Sequence, residues 1–197
     1  DDWSKVQDKR NPLVGRHPAV TKIQNPFPGR PGYDCFGCAP HNKSGLAMEF
    51  FEDGEELVSL WTPREEFSGF TGVLHGGVQA TLMDEIASWT VFVKLATAGV
   101  TKTLAVDYAR TAAIDAGPVE LRSRVESVTK KEAVVAVRCG PAGAEPYSLG
   151  TVTYALFSPK LAEKKLAYPG QAAFFPHHAG SAESSTQAPR GEREHEE

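Results

Sequence analysis

One segment limits what this chain can fold into. From Gly76 to about Ala96 runs an apolar stretch without proline, longer than a typical strand. Within it Val78, Leu82, Ile86, Trp89 and Val93 recur at helical spacing and form a large apolar face. A second stripe, Gly77, Thr81, Asp84, Ser88 and Val91, is small and carries one acid. Only Asp84, Glu85 and Lys94 are charged here, and a helix apolar nearly all round is a buried helix. The other periodic runs alternate with period two. "GLAMEFFEDGEELVSLWTP" is two short runs around Asp53-Gly54, a hairpin signal. After the helix come "VTKTLAVDYAR", "PVELRSRVESV", "EAVVAVRCG" and "YSLGTVTYALF". Consecutive strands joined by short turns pair antiparallel. The expected fold is α+β: a curved antiparallel sheet of about six strands wrapped around one long central helix.

The chain has 197 residues, enough for one domain with a core and tails. The region before residue 35 is proline-rich and reads as an extended arm, residues 35–160 as the domain, and 161–197 as a C-terminal extension. From about residue 176 the composition is polar and disorder is expected. A net charge of -4 argues against nucleic acid as a partner. No run approaches the ~18 apolar residues of a membrane span. The first residues lack the basic-then-apolar order of a secretory signal, and three cysteines make no disulfide framework. A cytoplasmic location is expected, with the absent initiator Met leaving room for a removed targeting peptide.

Chemistry concentrates at the helix. Its leading N–H groups lack partners inside it and sit at the positive end of the dipole. Gly76 and Gly77 bring no side chains to shield those donors, so a carbonyl or oxyanion can approach them. Asp84 lies seven residues beyond Gly77, on the same face. A desolvated carboxylate there can serve as nucleophile or general base. Glu85 is turned about 100° away and is expected at the surface or an interface. The plainer reading is an ordinary turn followed by a structural acid.

A resemblance enters on these residues. "LHGGVQATLMDE" resembles the signature of hotdog-fold acyl-CoA thioesterases of the PaaI type, including the mammalian thioesterase-superfamily members: His-Gly-Gly, then an acid nine residues after the His, here His75 and Asp84. "CFGCAPHNKSGLAMEFF" is similar to the lead-in of many bacterial members. "TKTLAVDYARTA" resembles the strand after the helix, with Thr111-Ala112 where the proline usually stands. The likeness covers about residues 35 to 158. It implies Asp84 as catalytic acid, Gly76 as backbone donor to the thioester carbonyl and His75 as the residue orienting the loop. Thr101, seven before Tyr108, matches the hydroxyl that holds the attacking water and faces the acid of the other subunit. It also implies a homo-oligomer, dimer or dimer of dimers, with shared sites. Gly77, Gln79, Ser88, Val78, Met83 and Phe70 are the expected substrate contacts. Arg64, Lys94, Lys102 and Arg110 are candidates for the CoA phosphates. Gly69 stands where several relatives carry Asn or Gln, six before the His.

No cofactor is expected beyond the CoA of the substrate. Cys35-x-x-Cys38-x-x-His41 has metal-like spacing, but a closed site needs four ligands and only Cys139 is left as an obvious extra. The expectation is no metal and a loop packed near the site. Two other functions compete: a non-catalytic hotdog module binding acyl-CoA or a small aromatic ligand, and, less favoured, a hydratase or dehydratase.

Overall fold

The computed structural model describes residues 20–175. In chain order the elements are β1 (Thr21–Ile23), β2 (Phe50–Asp53), β3 (Glu56–Trp61), a 3-10 turn (Glu65–Phe67), α1 (Gly76–Lys94), β4 (Gly99–Tyr108), β5 (Val119–Val128), β6 (Glu132–Gly140), β7 (Ser148–Leu156), α2 (Pro159–Leu166) and a second 3-10 turn (Gln171–Phe174). The strands form one antiparallel sheet of seven, in the order β1-β2-β3-β5-β6-β7-β4, and α1 packs across β3 to β7. This is the α+β hotdog arrangement.

The seventh strand comes from the arm. Thr21–Ile23 pairs with Phe50–Glu52 and buries Ile23. The β2–β3 hairpin turns at Gly54, whose φ of +58° is the left-handed conformation that glycine adopts without steric cost. The alternating run before it is broken at Ala47, φ +48°. Leu46 and Met48 therefore bond not to a strand but to the loop above, donating their N–H groups to Phe36 O (2.7 Å) and Gly37 O (2.9 Å).

The large face of α1 is fully used: Leu82, Ile86, Trp89 and Val93 are each no more than 1% exposed. The small stripe differs. Thr81, Asp84 and Ser88 are only half-buried, and Gly77 is exposed. The helix is thus buried on the sheet side and open along the acidic stripe, which no layer of the described residues covers. Beside it, β4 is the last strand of the sheet, and among the described residues no strand pairs its outer edge. Val100 and Tyr108 on it are 47% and 51% exposed.

The far end of the helix is roofed by aromatic rings. Phe174, fully buried, stacks on Phe92 (5.9 Å) and Tyr168 (6.1 Å) and meets Trp89 (5.5 Å) and Phe27 (6.1 Å) edge-on. Tyr168 Oη donates to Phe92 O, Gln171 Nε2 to Val93 O, and Gln24 N–H to Phe174 O (2.8, 2.6 and 2.9 Å). Residues up to 175 on the C-terminal side are therefore part of the packed body. The expectation of disorder from about 176, with His177, His178 and His195, falls outside the described residues. Among the described residues no helix is long and apolar enough to cross a membrane.

Candidate active site

The site begins at the helix start. His75 caps α1, and its Nδ1 accepts the Gly77 N–H at 2.8 Å. Nε2 then carries the proton in the neutral ring. The His75 carbonyl accepts from Val78 and Gln79 (3.0 and 3.1 Å). Of the two glycine donors, Gly77 is thus occupied by the cap. The Gly76 N–H makes no hydrogen bond with any described residue. Tyr108 Oη donates to Gly76 O at 2.7 Å, and a Cβ at Gly76 would stand 3.2 Å from the Tyr108 ring. Gly69 serves the same corner: a Cβ there would come within 3.1 Å of the His75 ring. Glycine at this position makes room for the imidazole.

An open cleft of about 560 Å³ lies here, lined by Gly69, Phe70, Leu74, His75, Gly76, Tyr108, Arg110 and neighbours. Phe70 stands at it 83% exposed. Of the four candidate cations only Arg110 lines the cleft. Its guanidinium donates to Pro146 O and Glu145 O and sits over the Tyr147 ring at 5.4 Å. Arg64, Lys94 and Lys102 are instead ion-paired with Glu66, Glu52 and Glu132.

Asp84 is held unevenly. Oδ1 accepts from Thr101 Oγ1 (2.8 Å) and Tyr154 Oη (2.9 Å), while Oδ2 accepts nothing from the described residues. One oxygen is anchored and the other is not. Thr101 reaches the Asp84 of its own chain. Tyr154, from β7, belongs to no motif in the sequence. It lies on the inward phase with Val152, and its hydroxyl is a polar atom on a buried face. Its hydroxyl also bonds the Asp84 main-chain oxygen at 2.7 Å. Burial first, and the Asp84 charge second, push Tyr154 far above the ordinary tyrosine value, so it stays a neutral donor. Tyr154→Phe removes a donor that favours the charged carboxylate. The expected result is a fall in kcat of about tenfold, the order of one hydrogen bond to a charge, with KM little changed. A folded variant with unchanged kcat would remove Tyr154 from the site.

Other expected contacts fall elsewhere. Met83 is fully buried, with Sδ against β7, where a Cβ at Gly150 would come within 2.7 Å of it. It packs in the core, because Leu82 and Met83 both face the sheet. Gln79 borders the cleft, but it is 3% exposed and its amide is taken: Ser148 Oγ donates to Oε1 (2.8 Å), and Nε2 donates to Leu74 O (3.2 Å). Val78 is half-buried near the helix start, and Ser88 half-buried on the Asp84 stripe. Glu85 does turn away from Asp84, yet it is not a surface residue. The loop after the arm covers it. Trp89 Nε1 donates to Oε1 (3.1 Å), Cys35 Sγ lies 3.6 Å from both carboxylate oxygens, and a Cβ at Gly37 would collide with it at 2.4 Å.

Comparison with known proteins agrees with this architecture. Residues 71–139 match the family model of the thioesterase superfamily. Among solved structures it is similar to a thioesterase superfamily protein (TM-score 0.54, 20% identity, 59% of this chain and 57% of that one), so it spans little more than half of that relative. It is also similar to AziG of S. sahachiroi (0.53, 21%, 57% and 94%). A hypothetical thioesterase of Streptococcus pneumoniae, solved with coenzyme A, is a further likeness (0.50, 19%, 53% and 83%). At these identities the likeness bears on the fold. No curated protein matches the chain.

Proposed function

We propose that this chain hydrolyses acyl-CoA thioesters as a homodimer whose two sites are each built from both subunits. The observation that carries the reading is the pairing of a free Gly76 N–H with an Asp84 carboxylate anchored through one oxygen only. The superfamily match and the coenzyme A bound to one structural neighbour support it.

Sharing follows from length. Gly76 and Asp84 are eight residues apart, roughly 12 Å along the helix axis. A reacting carbonyl must lie about 3 Å from both donor and attacking group. One chain does not bring its own pair together. A two-fold axis beside β4 would set the helices antiparallel, the start of one near the middle of the other. The uncovered β4 edge and the open acidic stripe are the surfaces such a dimer would bury.

The thioester oxygen then accepts the N–H of the partner's Gly76, and Asp84 Oδ2 takes the proton of an attacking water, or attacks the carbonyl itself to give an acyl anhydride that water then hydrolyses. The carbon–sulfur bond breaks, and the thiolate leaves and is protonated. Thr101 and Tyr154 hold Oδ1 and so fix the direction of Oδ2. Phe70 and Val78 offer apolar surface to the acyl group, and Arg110 a cation to a CoA phosphate. The reaction as drawn needs no metal or redox cofactor. Gly69, lacking the amide of relatives, favours one second reading: a module that binds acyl-CoA without turning it over.

Short, long and aromatic acyl-CoAs assayed with the full chain separate the two. Turnover of at least one supports the enzyme, whereas saturable binding with no turnover of any supports the module. Sharing is tested by mixing two inactive variants, Asp84→Asn and Gly76→Pro. The latter removes the N–H at the first helical position, where proline is tolerated. Random assortment makes half the dimers mixed, each with one intact site, so about a quarter of the parent rate returns if sites are shared. No recovery after subunit exchange means each site lies within one chain.

A further inference from the structure

The side of α1 opposite the cleft carries a second constellation. Cys35 Sγ, Cys38 Sγ and a Glu85 carboxylate oxygen all lie within 4.8 Å of one another. The sequence spacing pointed to His41 as a companion of the two cysteines. The ring turns away, with Nε2 against Tyr33 O (3.0 Å) and Asp34 (3.6 Å), and the histidine is exposed. The third ligand atom comes instead from the helix, 50 residues on. Both cysteines are free thiols, Cys38 only 5% exposed.

Three features suit a cation. First, Glu85 is half-buried under the loop, yet it joins no ion pair among the described residues. A covered carboxylate ordinarily has a charged partner. Second, the spacing suits tetrahedral coordination. Zinc–sulfur and zinc–oxygen bonds of about 2.3 and 2.0 Å set their donor atoms about 3.5 Å apart, and Cys35 Sγ stands 3.6 Å from each Glu85 oxygen. Third, the ligands are themselves oriented, as metal ligands usually are. Trp89 Nε1 donates to Glu85 Oε1 (3.1 Å). The Tyr33 hydroxyl lies 3.1 Å from Cys38 Sγ and accepts from Asn25 Nδ2 (2.9 Å). The loop is turned tightly, Ala39 N–H donating to Cys35 O at 3.0 Å, and Gly37 lets it lie directly over the carboxylate, which a Cβ there would push aside.

We infer that Cys35, Cys38 and Glu85 form a zinc site that clamps the loop after the arm onto α1, with water as fourth ligand. Two thiolates select a soft or borderline ion over magnesium or calcium. On binding, two S–H bonds break, two S–Zn bonds form and the two protons pass to buffer. Two protons leave as one dication arrives, so the net charge of the pocket is unchanged. The site stands apart from the proposed hydrolysis and does not depend on it.

The test uses the full chain, reduced and stripped with chelator, then titrated with Zn²⁺ or Co²⁺ alone. One zinc per chain is expected, and cobalt should give the thiolate charge-transfer and tetrahedral d–d absorption. Cys35→Ser with Cys38→Ser should abolish that absorption. Glu85→Gln should weaken binding by at least about tenfold, and His41→Ala should leave it unchanged. Thermal unfolding of each variant without metal checks that it is folded. The inference is overturned if the reduced parent takes up no zinc, or if the double serine variant binds as the parent does. It is equally overturned if the cysteines prove to be a disulfide whose reduction restores no binding.

Discussion

Asp84→Asn is expected to lower kcat by about 10² to 10⁴, the range ascribed to a positioned acid–base group, while KM changes little. The substitution is nearly isosteric. The asparagine carbonyl can still accept from Thr101 and Tyr154, as Oδ1 does now. What is lost is the charge and the second oxygen, which becomes an NH₂ that can neither attack a carbonyl nor take a proton. The variant therefore separates chemistry from packing. Steady-state kinetics on whichever acyl-CoA the parent turns over best, with a thermal melt beside them, supply the measurement. Undiminished kcat in a folded variant would mean that Asp84 is a structural acid.

Phe174→Ala should cost about 3–5 kcal/mol, the usual range for emptying a large aromatic site. At about 2–4 °C per kcal/mol for a chain of this size, the melting temperature should drop by roughly 10 °C. Phe174 touches Phe27, Trp89, Phe92 and Tyr168, so little can collapse into the space it leaves. Urea denaturation reads the loss directly. A change under about 1 kcal/mol, the scale of a surface substitution, would mean that the last turn does not dock in solution.

Much of this architecture is legible in residue order. The helix expected from Gly76 to about Ala96 spans Gly76–Lys94, and the Asp53-Gly54 hairpin and four later strands stand where alternation puts them. Strand β1 was hidden because three residues among prolines carry no measurable period. Periodicity reports which residues share a face, not what lies over it. It separated Asp84 from Glu85 but gave no hint that the loop at Cys35 would cover Glu85. Likewise it put Met83 beside Asp84 in sequence without saying that the sheet would bury it. Tyr154 shares a strand face with Val152, and nothing local marks its hydroxyl as aimed at a carboxylate in another element. Gly76 and Gly77 looked equivalent until the His75 cap took one of them.

The meeting of Gln24 with Phe174 has a further consequence. Segments flanking a domain usually open locally at little free energy. Here Phe27, ahead of the sheet, and Phe174, after it, share a ring cluster with Trp89 of the central helix. Neither segment can lift without uncovering the other and baring the helix. Local opening of the two is therefore coupled, although they lie far apart in sequence.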